Sequence, residues 1–339
     1  MGPTASNIQT TRPEEWSDEN LIVLFSLPRS GSTLLQRILA ADERIASTAE
    51  SWLLLPLLYA LRDGNTFSEY GHTAASKAIR DFSRHLPQGE MDYRRAVART
   101  ALDLFRKASP AGVRYYVEKT PRNALIAEEI MNIFPAARYV FLWRNPLAVT
   151  ASMIETFGKG RWNIYRFGID LYEGLNQLVR AMSLPAKHKL VLRYEDLLQS
   201  PHETVRRLSA LLELDLDEDI LRKFSGIRMH GQMGDPAGAR KYTELSIAPM
   251  DKWKETLATP LRRRWARQYL NWIGSKRLEA MGYDFSELMQ ALNELEMQVF
   301  DIFSDSARLL YGFFAGRLPV SIIRVRRNSP HRHKNNWLS

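Results

Sequence analysis

The sequence predicts an α/β fold, a three-layer α/β/α arrangement around a central parallel sheet, with a helical extension at its C-terminal end. Two observations carry this. Four short apolar runs, LIVLF at 21–25, VRYYV at 113–117, RYVFLW at 138–143 and KLVLR at 189–193, have the length and the β-branched or aromatic content of strands buried on both faces. Each ends in a polar turn and is followed by a stretch of helical spacing, and parallel strands need such crossovers. Ligands in folds of this kind bind at the carboxyl ends of the strands, where these polar turns lie.

Composition sets the class. The chain of 339 residues is 45% hydrophobic and 25% charged, which is ordinary for a globular protein with a large core. It has no cysteine, so disulfides, thiol catalysis and cysteine-ligated metals are excluded, and no carboxylate cluster or histidine pair marks a metal site. MGPTASNIQTTRPEEW lacks the apolar core of a signal peptide, and no run of about 18 apolar residues is present to span a bilayer. The expected location is cytoplasmic. The loose myristoylation pattern of MGPTAS carries little weight because Pro3 follows the glycine.

Residues 1–20 read as a loose polar lead-in. The strand 21–25 then runs into LPRSGST, and from Ser32 onward Leu34, Leu35, Ile38 and Leu39 fall on one helical face, with Ser32 or Thr33 placed to cap its start. A strand-to-helix turn presents free N–H groups and the positive end of a helix dipole, which suits an anion, most often phosphate. Gly31 lets the backbone approach the anion, Arg29 adds forked cationic donors, and Ser30, Ser32 and Thr33 add hydroxyls. A serine-rich turn would share this composition. The triphosphatase loop GxxxxGK[ST] differs by its lysine, which is missing before Ser32 here.

IASTAES at 45–51 reads as a connector holding Glu50, and WLLLPLLYAL begins a helical stretch interrupted by Pro56. Helical spacing from about 73 to 108 breaks at LPQG, residues 86–89. The second strand ends in Glu118-Lys119-Thr120-Pro121, the third in Arg144-Asn145-Pro146 before a helix from Leu147 to Thr156, and the fourth in Tyr194-Glu195-Asp196-Leu197. GIRMHGQMGDPAGARK at 226–241 has the composition of a flap over an anion or of a surface loop. Helices follow from about 251 to 285. Leu288, Leu292, Leu295, Val299, Ile302 and Leu309 then recur with four-three spacing, a helical seam for a homodimer or, preferred here, for packing on its own domain.

The net charge of +9 is uneven. No acidic residue follows Asp305, whereas Arg308, Arg317, Arg324, Arg326, Arg327, Arg332 and Lys334 do. A solvated basic tail is the expectation, with peripheral membrane contact left open and no nucleic-acid partner expected.

Three of these stretches together resemble the sulfotransferases that use 3′-phosphoadenosine 5′-phosphosulfate. LPRSGSTLLQRIL at 27–39 resembles their 5′-phosphosulfate loop, YVFLWRNPLAVTASMI at 139–154 their 3′-phosphate motif, and LVLRYEDLL at 190–198 a further strand-end motif. The resemblance spans about 20–285 and implies a sheet of P-loop-like topology. Together with the composition and spacing at either end, it divides the chain into a lead-in at 1–20, a sulfotransferase domain at 21–285, a helical extension at 286–316 and a basic tail at 317–339. It also implies sulfuryl transfer to a hydroxyl acceptor without a metal, with Arg29, Ser30, Gly31, Ser32, Thr33, Arg144 and Ser152 binding the donor and Tyr194 near its adenine.

Such a transfer needs in-line geometry, stabilisation of oxygen charge and a base. Arg29 and Lys119 supply the positive field, and Glu50 is the candidate base, lying 21 residues after Arg29 as in the tyrosylprotein branch. That branch also has a lysine comparable to Lys119 in EKTP. The cytosolic branch uses a histidine, but His72 and His85 lie in no matching motif. Arg29 stands where the cytosolic branch has Lys, and the late Arg-Lys-Gly motif is only echoed by Ala239-Arg240-Lys241-Tyr242. The aromatics Trp52, Trp162, Tyr165 and Tyr172 could line an acceptor site or fill the core. The acceptor stays open among carbohydrate, lipid-linked glycan, tyrosine and small metabolite. A P-loop-type small-molecule kinase and a non-catalytic nucleotide-binding scaffold at a membrane are the competing readings.

Overall fold

The five strands of the sheet are all parallel. In a computed structural model, which describes residues 16–315 apart from 65, 67, 69–70, 232, 234–243, 249 and 300, they are β1 (Leu21–Phe25), β2 (Ile45–Ser47), β3 (Tyr115–Glu118), β4 (Arg138–Trp143) and β5 (His188–Arg193), in the order β2-β3-β1-β4-β5. The central strand alternates strictly. Leu21, Val23 and Phe25 enter one core with Tyr116, Tyr139 and Phe141, while Ile22 and Leu24 enter the other with Leu34, Leu35, Val117 and Val140. Apolar residues on both faces explain why the strand reads as a continuous run rather than an alternating one.

The helices enclose this sheet. On one side stand α1 (Ser32–Leu39), α8 (Tyr194–Gln199), α9 (Pro201–Leu212) and α10 (Ile220–Lys223), which supply the second core. On the other stand α2 (Leu54–Tyr59), α4 (Glu90–Lys107), α5 (Ala127–Ile133), α6 (Pro146–Gly158) and α7 (Leu175–Ser183), with α3 (His72–Arg84) outside, against α4. The C-terminal helices are α11 (Lys252–Thr256), α12 (Pro260–Ile273), α13 (Ser275–Ala280), α14 (Phe285–Asn293) and α15 (Ile302–Ala315).

The structure revises several sequence expectations. IASTAES is not only a connector: Ile45–Ser47 is an edge strand paired with β3, too short to show a periodicity. The second strand starts at Tyr115 rather than Val113, because Arg114 and Tyr115 first donate their N–H groups to the Arg44 carbonyl. Pro56 does not interrupt its helix, which begins at Leu54 and holds the proline in its first turn, where no intrahelical N–H bond is lost. The seam from Leu288 to Leu309 is not one helix. It is split between α14 and α15 by residues 294–301, so Leu288 and Leu292 are buried whereas Val299 is exposed.

A buried ion pair fixes α15 to the body. Arg262 Nε donates to Asp305 Oδ2 at 2.6 Å and Nη2 to Oδ1 at 3.1 Å, with both side chains buried. Removing one partner of such a pair leaves a charge in the interior and typically costs about 3–5 kcal/mol. Asp305→Ala is therefore expected to lower the denaturant midpoint of unfolding markedly. An unchanged midpoint would show that α15 contributes little to stability.

Candidate active site

The loop 26–31 turns sharply between β1 and α1. Arg29 has φ 72° and Gly31 φ 90°, two left-handed residues within three positions, and Gly31 rather than Ser32 or Thr33 is the helix N-cap. A glycine is required here for a second reason: a Cβ on Gly31 would lie 2.2 Å from Cδ2 of Tyr194. The buried tyrosine ring supports the loop from beneath. The N–H groups of Ser32 and Thr33 have no intrahelical carbonyl to bond and are available to an anion, whereas those of Leu34 and Leu35 donate to the Gly31 carbonyl. Ser30 and Ser32 are buried in the turn. Gly31→Ala is expected to cost about 1–3 kcal/mol from strained backbone alone and to weaken nucleotide binding about tenfold by displacing Tyr194. Titration with adenosine 3′,5′-bisphosphate measures it.

At one end of this loop three predicted residues meet. Arg29 Nε donates to Ser152 Oγ at 3.2 Å, and Arg144 Nη1 donates to the Arg29 carbonyl at 2.9 Å. The Arg144 guanidinium also lies 4.7 Å from the centroid of the Tyr194 ring. Arg144 follows β4 directly, and Asn145 caps the next helix by accepting from Leu147 N, which places Ser152 two turns into α6. Behind them Glu195 ties the motif together. Its Oε1 accepts from Asn145 N at 3.0 Å and its Oε2 from the Tyr283 hydroxyl at 2.6 Å. Burial and the Glu195 charge hold the Tyr283 phenol well above its ordinary value, so it remains a donor.

At the other end Thr33 meets the predicted catalytic pair. Lys119 Nζ lies 3.0 Å from Glu50 Oε1 and 3.4 Å from Thr33 Oγ1, with side-chain exposures of 2% for Lys119 and 13% for Glu50. Lys119 leaves the end of β3, and Glu50 returns to it because β2 pairs with β3. Trp52 Nε1 donates to the other carboxylate oxygen, Oε2, at 3.2 Å. A carboxylate accepts at about four lone-pair positions, so these two bonds leave room for a hydroxyl.

The segment carrying Glu50 is held from three sides. Gln36 on α1 donates to Ser47 Oγ and to the Thr48 carbonyl, and Thr48 Oγ1 shares a 2.6 Å hydrogen bond with the Tyr116 hydroxyl. Glu118 accepts from Ser51 Oγ, Thr120 Oγ1 and Asn123 Nδ2. Burial pushes the Glu118 carboxyl up, opposed by these three donors and by the Lys119 charge. Ala49 N donates to the His230 carbonyl at 2.8 Å and Glu50 N to that of Met233 at 3.2 Å, so the glycine-rich segment touches the Glu50 backbone.

The sequence singled out Arg29, Ser30, Gly31, Ser32, Thr33, Glu50, Lys119, Arg144, Ser152 and Tyr194, and the fold brings them to the carboxyl ends of the strands. The Arg29 side chain donates to Ser152, and the Tyr194 ring is buried between Gly31 and Arg144. Of the four candidate acceptor aromatics only Trp52 touches the pair. Trp162 is a core residue edge-on to Trp265, Tyr172 packs on Tyr269 and Trp272, and Tyr165 packs on Tyr311. Glu118, Glu195 and Gln36 were missed because a buried carboxylate or amide has no sequence signature of its own. Arg240 and Lys241 lie outside the described residues.

Parallel strands and a strand-to-helix anion loop, with Arg29 and Arg144 at one end and Lys119 at the other, make a site suited to an anionic ligand. Residues 22–218, more than half of the chain, match the sulfotransferase family, and the chain belongs to that family. A nodulation protein NoeE of Sinorhizobium fredii is 29% identical over 216 residues, which cover 57% of this chain and 49% of the relative, so the match spans about half of that protein's length. A putative protein-tyrosine sulfotransferase of Caenorhabditis briggsae is 24% identical over 233 residues, 68% of this chain and 78% of the relative. Among solved structures, the sulfotransferase domain of the curacin biosynthetic pathway has a TM-score of 0.50 at 24% identity, covering 73% of this chain and 96% of its own, and shares the fold.

Proposed function

We propose that the protein moves a sulfuryl group from 3′-phosphoadenosine 5′-phosphosulfate to a hydroxyl acceptor, with Glu50 as the base. The observation that carries this is the position of Lys119, which bridges the anion loop at Thr33 and the Glu50 carboxylate. The donor set suits a ligand with two anionic ends. Arg29, Arg144 and Ser152 offer forked cations and a hydroxyl at one end of the loop, while Ser32, Thr33 and Lys119 offer hydroxyls and an ammonium at the other.

The donor supplies a sulfuryl group on a phosphate leaving group. Arg144 and Ser152 hold the end remote from transfer, and Arg29 adds its charge there. Tyr194 acts through Gly31 and Arg144 rather than by contact with the reacting atoms. Glu50 accepts the acceptor hydroxyl proton at the oxygen face left by Lys119 and Trp52, with both partners fixing the carboxylate's direction. Lys119 and the N–H groups of Ser32 and Thr33 stabilise charge on oxygen as it develops. Trp52 places an aromatic face beside Glu50, which suits a sugar or phenol acceptor.

The test is incubation with radiolabelled donor and a panel of carbohydrate, lipid-linked glycan, tyrosine peptide and small hydroxyl acceptors, with Arg29→Ala as control. Label is expected on one acceptor class and strongly reduced in the variant. Labelling from Mg-ATP with none from the sulfuryl donor would replace this reading by a kinase.

A further inference from the structure

We infer that the outward face of α15, with the cations that follow it, docks the protein on an anionic lipid bilayer; this is independent of the transfer reaction. The helix packs Leu309 on the core yet leaves a second apolar stripe outside. Its charged residues point inward, Asp305 onto Arg262 and Arg308 onto Asn163 Oδ1 at 3.0 Å, and Gly312 lies against Tyr165, where a Cβ would come within 2.7 Å of the ring. Part of its apolar surface points to solvent: Phe303 is 94% exposed, Leu310 60% and Tyr311 63%, the last edge-on to Tyr165, with Ala307 exposed between them. The spacing i, i+4, i+7, i+8 makes these four residues one stripe. Met297 and Val299 extend the exposed apolar surface in the preceding segment. A contiguous exposed stripe of this kind marks a contact surface.

Charge selects the partner. No acidic residue follows Asp305, and residues 316–339 carry Arg317, Arg324, Arg326, Arg327, Arg332 and Lys334, interleaved with Leu318, Val320, Ile322, Ile323 and Val325. Apolar anchors beside a run of cations are the two signals that together give stable attachment to anionic membranes. A second copy of the chain would bring an equal set of cations against these. A nucleic acid would match the cations but offers no hydrocarbon to Phe303 and Leu310.

The full chain should float with vesicles of phosphatidylcholine and phosphatidylserine and not with phosphatidylcholine alone, and binding should fall as salt is raised. Two variants separate the signals: one replaces Phe303, Leu310 and Tyr311 together by Ser, the other Arg324, Arg326 and Arg327 by Gln. Each is expected to reduce vesicle binding about tenfold or more. Neither touches the Arg262–Asp305 pair, and if the serine variant fails to fold the glutamine variant decides alone. Absent or phosphatidylserine-independent binding overturns the proposal. So does a dimer in sedimentation equilibrium that the serine variant dissolves while vesicles recruit nothing, or a preference for duplex DNA over vesicles that the glutamine variant loses.

Discussion

Glu50→Gln should lower turnover in sulfuryl transfer by about 10²–10⁴-fold, the usual contribution of a positioned general base. The amide keeps the shape of the side chain, so the segment held by Gln36, Glu118 and the His230 carbonyl should stay in place. Affinity for adenosine 3′,5′-bisphosphate should change by no more than about threefold, since Glu50 faces Lys119 and Trp52 and not Arg144. Lys119→Ala removes both the partner of the carboxylate and the cation near Thr33, and a loss of similar size is expected. The two losses should not add, because residues acting on one proton and one developing charge work as a unit. Full turnover in Glu50→Gln, measured with any acceptor that the wild-type protein labels, would falsify the assignment of the base.

Arg144→Ala is the second large effect, and it should fall on donor affinity. The guanidinium bonds the Arg29 carbonyl and covers the Tyr194 ring, so its removal takes away a cation and loosens the loop whose conformation depends on that ring. A rise in KM for the donor of about 10²-fold is expected from loss of a charge-assisted pair worth about 1.5–3 kcal/mol together with the loop contact. Arg144→Lys should recover only part of this, since an ammonium cannot make the forked contact. Ser152→Ala, which removes one hydroxyl, should cost about 3–10-fold. A Ser152→Ala loss equal to that of Arg144→Ala would reverse this ranking and move the main phosphate contact to α6.

How much was legible depends on what kind of signal each part leaves. The central strands β1 and β4 announce themselves as apolar runs because both faces are buried, and the residues just beyond their ends are polar because the carboxyl end of the sheet is where chemistry happens. Edge strand β2 escaped because three residues cannot show a period, yet it is what returns Glu50 to Lys119. The seam from Leu288 to Leu309 misled in the opposite direction: a spacing shared by two helices looks like one helix until the segment between them is seen. Arg29 was read as serving the transferred group from its place in the loop. Its left-handed backbone and its hydrogen bond to Ser152, both invisible in the sequence, add a contact that place in the loop alone did not suggest. The buried acids Glu118 and Glu195 are the largest omission, because their importance lies in three and two hydrogen bonds respectively to residues distant in sequence or on neighbouring turns.

The central claim is a division of labour along one loop, phosphate holding at the Arg29 end and proton transfer at the Thr33 end. Calorimetric titration of adenosine 3′,5′-bisphosphate into the wild-type protein, Arg144→Ala and Glu50→Gln tests it without knowledge of the acceptor. Binding by the wild type, weakened at least about tenfold in Arg144→Ala and retained in Glu50→Gln, is the predicted result. No binding by the wild type, or equal weakening in both variants, would contradict it.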